Sequence, residues 1–307
     1  MRVAVTGSHG FIGSALVRAL EHEGDQVTRL VRGGANAEAN ALVAWDPQAG
    51  TIDAAGLEGQ DAVVHLAGAG IGDHRWTADY KAIVRESRVK GTDLLARTLA
   101  GLERPPAVLV SGSAVGYYGD RGDDELTESS PPGSGFLAEV VQAWEAAAAP
   151  AADAGIRLVN IRSGIVQSPR GGALGKLLLP FKLGVGGRLG SGRQWLSWVS
   201  IDDEIGAIRH ALTEDSLWGP MNATAPAPVT NAEYTAALAA ALRRPAFIPV
   251  PTPVLQLRFG RQMVEEMLLG GQRVLPAALE SSGYRFRHRT IEEALTSLLG
   301  QGKRTAS

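Results

Sequence analysis

The chain has 307 residues, 45% hydrophobic and 20% charged, an ordinary globular balance long enough for one large domain or two modest ones. Thirty Lys and Arg against 32 Asp and Glu leave a formal charge of −2, without the basic excess of a nucleic-acid binder. No cysteine is present, which excludes disulfides, thiolate nucleophiles, Cys-ligated zinc and iron–sulfur clusters together, and the six histidines show no metal-binding spacing. No apolar run approaches the roughly 18 residues of a membrane span, and the N-terminus lacks the apolar core of a signal peptide. These features point to a cytoplasmic protein with no nucleic-acid, membrane or metal partner.

Val3, Ala4 and Val5 form a short apolar run, predicted as a buried strand. The turn Gly7-Ser8-His9-Gly10-Phe11-Ile12-Gly13 follows, and then a helical pattern that stops at Gly24. Strand, glycine turn and helix are the context in which a nucleotide diphosphate is held. Gly7 permits the tight turn, Gly10 lets backbone approach the phosphates, and Gly13 lets helix pack on strand. Gln26 to Arg32 reads as the second strand. It carries no acid for a ribose 2′-hydroxyl, whereas Arg32 at its end, with Arg29 nearby, suits a 2′-phosphate, so NADP(H) is favoured over NAD(H).

Further strands are predicted at Ala41–Trp45, Asp61–Leu66 and Ala107–Ser111. Small residues after the second of these, from Ala67 to Gly70, fit the floor of a cofactor cleft. Between them Thr77 to Leu99 reads as a long helix, with Lys81, Arg85 and Arg88 spaced to share one face. Leu158 to Arg162 is another strand, and Gly171 to Gly192 is glycine-rich around a short apolar helix at Leu174–Phe181. Such a stretch beside a cleft suits a substrate site, with Arg193, Gln194 and Trp198 as its polar and aromatic contacts. Asp202 and Asp203 suit a helix start. Helices are also expected over Asn231–Leu242 and, as one amphipathic element, Val254–Leu269, a core or homodimer face.

The chain resembles the extended, epimerase-like short-chain dehydrogenases/reductases. The match rests on Thr6 to Gly13, Leu66-Ala67-Gly68, Val110-Ser111-Gly112-Ser113-Ala114 with Tyr118-Gly119, and Arg162-Ser163-Gly164-Ile165-Val166. It is more similar still to the atypical YfcH-like branch, through Arg75-Trp76-Thr77, Ser87-Arg88, Phe136–Glu139 with Trp144-Glu145, Gly190–Gln194 with Ser197–Val199, Asn222–Pro226 and Gln272–Pro276. That resemblance covers nearly the whole chain and implies a small helical domain of unknown function at the end. It also implies that Leu66, Ala67, Gly68, Arg88, Ser111, Arg162, Gly164 and Val166 join the glycine turn and Arg32 in binding the cofactor.

The superfamily moves a proton with Tyr, lowers the Tyr pKa with Lys, and orients the substrate oxygen with Ser or Thr. Ser113 matches that Ser. The Tyr and Lys places of the expected helix read Leu137 and Val141, neither of which can carry a proton. The remaining catalytic candidates are Arg88, Arg85 or Lys81 as oxyanion stabilisers and Tyr117 or Tyr118 as phenols, with Lys81 and Arg85 also placed to touch substrate. The alternative is an NADP(H)-binding sensor without turnover.

The expected fold is α/β, a Rossmann-type doubly wound parallel sheet with a smaller C-terminal substrate lobe. Residues 1–166 are assigned to the dinucleotide-binding domain, joined again by 195–230. Residues 167–252 are a mixed region, 253–299 a helical unit, and 300–307 a flexible tail. The expected activity is that of an NADP(H)-binding oxidoreductase or epimerase-like enzyme on a small polar carbonyl or hydroxyl substrate.

Overall fold

A computed structural model describes residues 1–33 and 42–300. Ala41, expected to open the third strand, and the tail beyond Gly300 lie outside the described residues. The elements in chain order are β1 (Arg2–Thr6), α1 (Phe11–His22), β2 (Gln26–Val31), β3 (Leu42–Asp46), β4 (Thr51–Ile52), β5 (Ala62–His65), α2 (Ala78–Ala100), β6 (Val108–Ala114) and β7 (Glu125–Leu126). Then come α3 (Phe136–Ala146), α4 (Ala149–Asp153), β8 (Arg157–Ser163), β9 (Ile165–Gln167), α5 (Gly172–Lys182), β10 (Trp195–Leu196), β11 (Trp198–Ser200) and α6 (Ile201–Thr213). The chain continues through β12 (Gly219–Ala223), β13 (Val229–Thr230), α7 (Asn231–Leu242), α8 (Thr252–Phe259), α9 (Arg261–Met263), β14 (Arg273–Val274), α10 (Ala277–Ser281) and α11 (Ile291–Gly300).

Eight strands form one sheet in the order β12-β8-β6-β5-β1-β2-β3-β4, parallel except for the short antiparallel strand β4. Side chains alternate across a strand, so one apolar run feeds two cores. Val3, Val5, Val64 and Val110 pack with Leu16 and Leu20 of α1 and Ile205 and Ile208 of α6. Ala4, Val63 and Leu109 face the other way, against Leu95, Ala96 and Leu99 of α2. Burial on both faces is why these strands read as unbroken apolar runs.

The strand order reverses between β1 and β5, with β2 on one side and β6 and β8 on the other. In an open α/β sheet the crevice outside such a reversal is where ligands bind. The pairs Thr6↔His65, His65↔Ser111 and Ser113↔Arg162 bring the strand ends to a common edge there.

The C-terminal segment differs from expectation at its start. Val254–Leu269 is not one helix: α8 ends at Gly260, whose φ is +89°, and Val264–Leu269 forms a wider π turn. Of the four-residue series only Leu255 and Met263 are buried, while Met267 is exposed. Buried residues of the segment join cores built by the rest of the chain. Leu279 joins the α1/α6 core, Ile291, Ala294 and Leu295 pack with α5 and α7, and Val274 packs with Tyr118 and Leu126.

Candidate functional site

The glycine turn sits at the strand-order reversal. Gly7 has φ +65°, and a side chain there would come within 2.8 Å of the Leu66 carbonyl. A Cβ on Gly13 would collide with the Gly7 carbonyl, so helix and turn approach as closely as backbone allows. Gly10 donates its N–H to the Gly7 carbonyl at 2.8 Å and starts α1, whose N-terminus no side chain caps. The first-turn amides and the positive end of the helix dipole are thus left to an anion. Ser8 is buried, His9 exposed and Ile12 half-buried. Phe11 lies beneath Gly171 and Gly172, where added side chains would touch its ring.

A polar strut under this cleft was not foreseen. Thr6 Oγ1 accepts the N–H groups of Leu66 at 3.1 Å and Ala67 at 3.2 Å, and lies 2.7 Å from His65 Nδ1. With its oxygen accepting twice, the hydroxyl donates to Nδ1, so the imidazole carries its proton on Nε2 and gives it to Thr92 Oγ1 at 2.9 Å. Burial lowers the His65 pKa to about 4, and the ring stays neutral. The strut fixes Leu66 and Ala67, with Gly68 exposed just beyond them. Only long-range pairing reveals it.

Arg32 is exposed at the end of β2, while Arg29 is held by Glu21 at 2.8 Å. Gly164 has no room for a side chain against the Ser197 carbonyl, and Val166 is buried in β9, paired with Val199. Ser111 is wholly buried with its hydroxyl unpartnered, in register with His65 of β5.

Ser113 stands near the end of β6 and donates its hydroxyl to Glu145 Oε1 at 2.6 Å. Glu145 also binds Arg162 through two bonds of 2.8 Å, from Nε and Nη2. Arg162 Nη1 donates to the Tyr118 oxygen at 2.9 Å, and Tyr118 donates to Asn222 Oδ1 at 2.7 Å. Burial works against the Arg162 charge, but the bonds to Glu145 outweigh it and hold the guanidinium above its ordinary pKa. Arg162 thus ties Glu145 and Tyr118 together inside the protein.

Tyr118 corrects an expectation. It is fully buried and bonded to Arg162 and Asn222, and burial pushes its phenol above the ordinary value despite Arg162 beside it, which suits a strut better than an open phenol. Its neighbour Tyr117 stays half-buried, with the Arg162 guanidinium 3.5 Å from its ring centroid. In α3, Leu137 is half-buried and Val141 buried, both packed near Gly116.

The basic trio of α2 does not share one environment. Arg85 is exposed, whereas Arg88 is buried, donates Nη1 to the Ala69 carbonyl at 2.9 Å and lies over the Trp144 ring. Burial lowers the Arg88 pKa to about 10. It props the loop after β5 through the Ala69 carbonyl, with its Nε left unpartnered. Lys81 reaches instead to Gln262 Oε1 at 3.0 Å. Gln262 in turn donates to Glu266, which accepts the Leu137 N–H at 3.0 Å and so caps the start of α3. The C-terminal segment thereby reaches over the helix that would have carried Tyr and Lys.

Of the substrate candidates, Trp198 is wholly buried in the α5/α7 core, its indole N–H bound to the Ala227 carbonyl. Gln194 spends its amide on the carbonyls of Leu189 and Leu268. Arg193 and Gln194 do line one cavity of about 330 Å³ with Asp123 and Trp195, and Trp195 donates to Asp123 at 2.7 Å. Trp195, not Trp198, is the aromatic wall. Asp203 accepts the amides of Arg287 and His288, pinning the C-terminal segment, and Ser200 caps α6. Among the described residues no cluster of His, Asp or Glu is arranged to hold a metal ion, and no helix is long and apolar enough to cross a membrane.

Comparison with known proteins agrees with this geometry. The epimerase family protein Mb2239 of Mycobacterium bovis is 44% identical over 294 residues, covering 95% of this chain and 96% of that one. The human epimerase family protein SDR39U1 is 40% identical over 302 residues, covering 97% of this chain and 100% of that one. The crystal structure of the human protein (isoform2) with NADPH superposes with a TM-score of 0.90 at 39% identity, covering 98% of this chain and 99% of that chain. The profile of a domain of unknown function, DUF1731, matches residues 250–298. The profile of the NAD dependent epimerase/dehydratase family matches residues 3–222, and the chain belongs to that family.

Proposed function

We propose that the chain binds NADP(H) across the C-terminal ends of β1, β2 and β5 and acts as an oxidoreductase or epimerase-like enzyme on a small polar carbonyl or hydroxyl substrate. The observation that carries this reading is the Gly7–Gly13 cradle, closed to any side chain and backed by an uncapped helix start at the strand-order reversal. The residues fit the group: backbone amides of α1 for the diphosphate and Arg32 for a 2′-phosphate. The human relative, whose structure was solved with NADPH, supports the same choice. When bound, the nicotinamide supplies or accepts hydride.

The chain's own part is to orient and polarise. Glu145 holds Ser113 at the end of β6, and Arg162 lies under the Tyr117 ring. Tyr117 is the phenol beside Ser113 that burial leaves open, and it is the candidate to hold or move a proton at the substrate oxygen. The cavity of Arg193 and Trp195 is the candidate subsite for the polar remainder of the substrate. The second reading, cofactor binding without turnover, is favoured by Leu137 and Val141 in the places of the proton-transfer pair.

Arg32→Asp tests the cofactor assignment. It should weaken NADPH binding at least tenfold more than NADH binding. Equal loss for both cofactors would contradict the role of Arg32.

A further inference from the structure

The structure assigns a second surface, away from the glycine cradle, to docking on an anionic lipid bilayer. The end of α5 and the loop after it expose Leu179, Leu183 and Val185, and the stretch after α7 exposes Phe247 and Ile248, each between 62% and 90% accessible. Backbone bonds hold these segments side by side: Val250 N–H to the Arg188 carbonyl at 2.8 Å, and Gly190 N–H to the Val250 carbonyl at 3.3 Å. Arg188, Arg243 and Arg244 line one groove of about 600 Å³ with Phe247, and Lys182 is exposed beside Leu183.

The charge pattern of these segments is one-sided. The chain carries 32 acidic residues, yet none lies in 172–190 or 234–250, the two stretches that build this surface. Cations at helix C-terminal ends complement the helix dipole, which accounts for Lys182 and Arg243. It does not account for Arg188, for the missing acids, or for the apolar tips between the cations.

A bilayer with anionic headgroups answers both halves of the pattern: apolar tips enter the interface while the guanidinium and ammonium groups meet negative headgroups. A second copy answers it poorly, because a two-fold contact would set the arginines against themselves. The expectation of no membrane partner rested on the missing span, and a surface of this kind needs none.

The test is co-sedimentation of the full chain with phosphatidylcholine vesicles, with and without about a third phosphatidylserine. The wild type should pellet with the anionic vesicles only, and less so as salt rises. Arg188→Glu with Arg244→Glu should weaken binding roughly tenfold or more, and Phe247→Ser should also weaken it. All three positions are exposed, and unchanged melting temperatures show that the fold is intact. Binding to neither vesicle, equal binding to both, or folded variants that bind like wild type would overturn the assignment. A wild-type dimer made monomeric by Phe247→Ser would overturn it in favour of a second copy.

Discussion

Arg162 and Glu145 form a bidentate ion pair, two bonds of 2.8 Å, directly behind Ser113 and beneath Tyr117. The Arg162 side chain is 3% exposed and that of Glu145 13%, so neither charge can fall back on water. Removing one partner strands the other. Glu145→Ala should cost about 3 kcal/mol or more in denaturant unfolding, and Glu145→Ala with Arg162→Met should recover part of that. A single mutant of wild-type stability would show that the pair does not organise this floor.

His65 gives a direct pH signature. Its folded pKa, about 4, lies below the ordinary 6.5. Above pH 6.5 the ring is neutral in both states. As pH falls from there toward 4, the unfolded chain takes up the proton first, so stability is lost, reaching about 3 kcal/mol below pH 4. Imidazole NMR should show His65 neutral at pH 5, protonated only on Nε2. A ring titrating near 6.5 would contradict the strut.

Glu204 of α6 has the opposite sign. It is wholly buried, accepts the Ser163 hydroxyl on one oxygen, and has the other unpartnered. Burial raises its pKa from 4.5 to about 7. Below pH 4.5 it is protonated in both states and costs nothing. Between 4.5 and 7 the unfolded chain ionises first and stability falls, by about 3 kcal/mol in all above pH 7. Glu204→Gln should therefore gain on wild type between pH 5 and pH 8, read from unfolding midpoints. Parallel profiles would contradict this.

Glu266 ties the C-terminal segment to α3 through the Leu137 amide. Glu266→Ala removes a helix cap and its anion, and should cost about 1 kcal/mol. Limited proteolysis should then cut more readily around residues 260–270. Unchanged stability and cleavage would show the contact to be incidental.

Much of the fold was legible because its central strands are buried on both faces. Val3–Val5, Ala62–Val64 and Val108–Val110 are apolar without interruption, and the glycine turn stands between a strand and a helix. The short strands were not legible, since β7 exists only through pairing with β14 far along the chain. The break at Gly260 hides inside an amphipathic spacing that continues on both sides of it. In the site, Tyr117 and Tyr118 are neighbours of one residue type, one half-buried and the other fully buried, and exposed Arg85 and buried Arg88 are likewise separated by burial. Glu145 stood in the sequence only as part of the family resemblance, because its partner Arg162 lies in another element.

Calorimetric titration of cofactor-free protein with NADPH and then NADH tests the central claim most directly. The account predicts tight NADPH binding at one site and much weaker NADH binding. No binding of either would mean that the Gly7–Gly13 cradle is structural, and would contradict the proposed function.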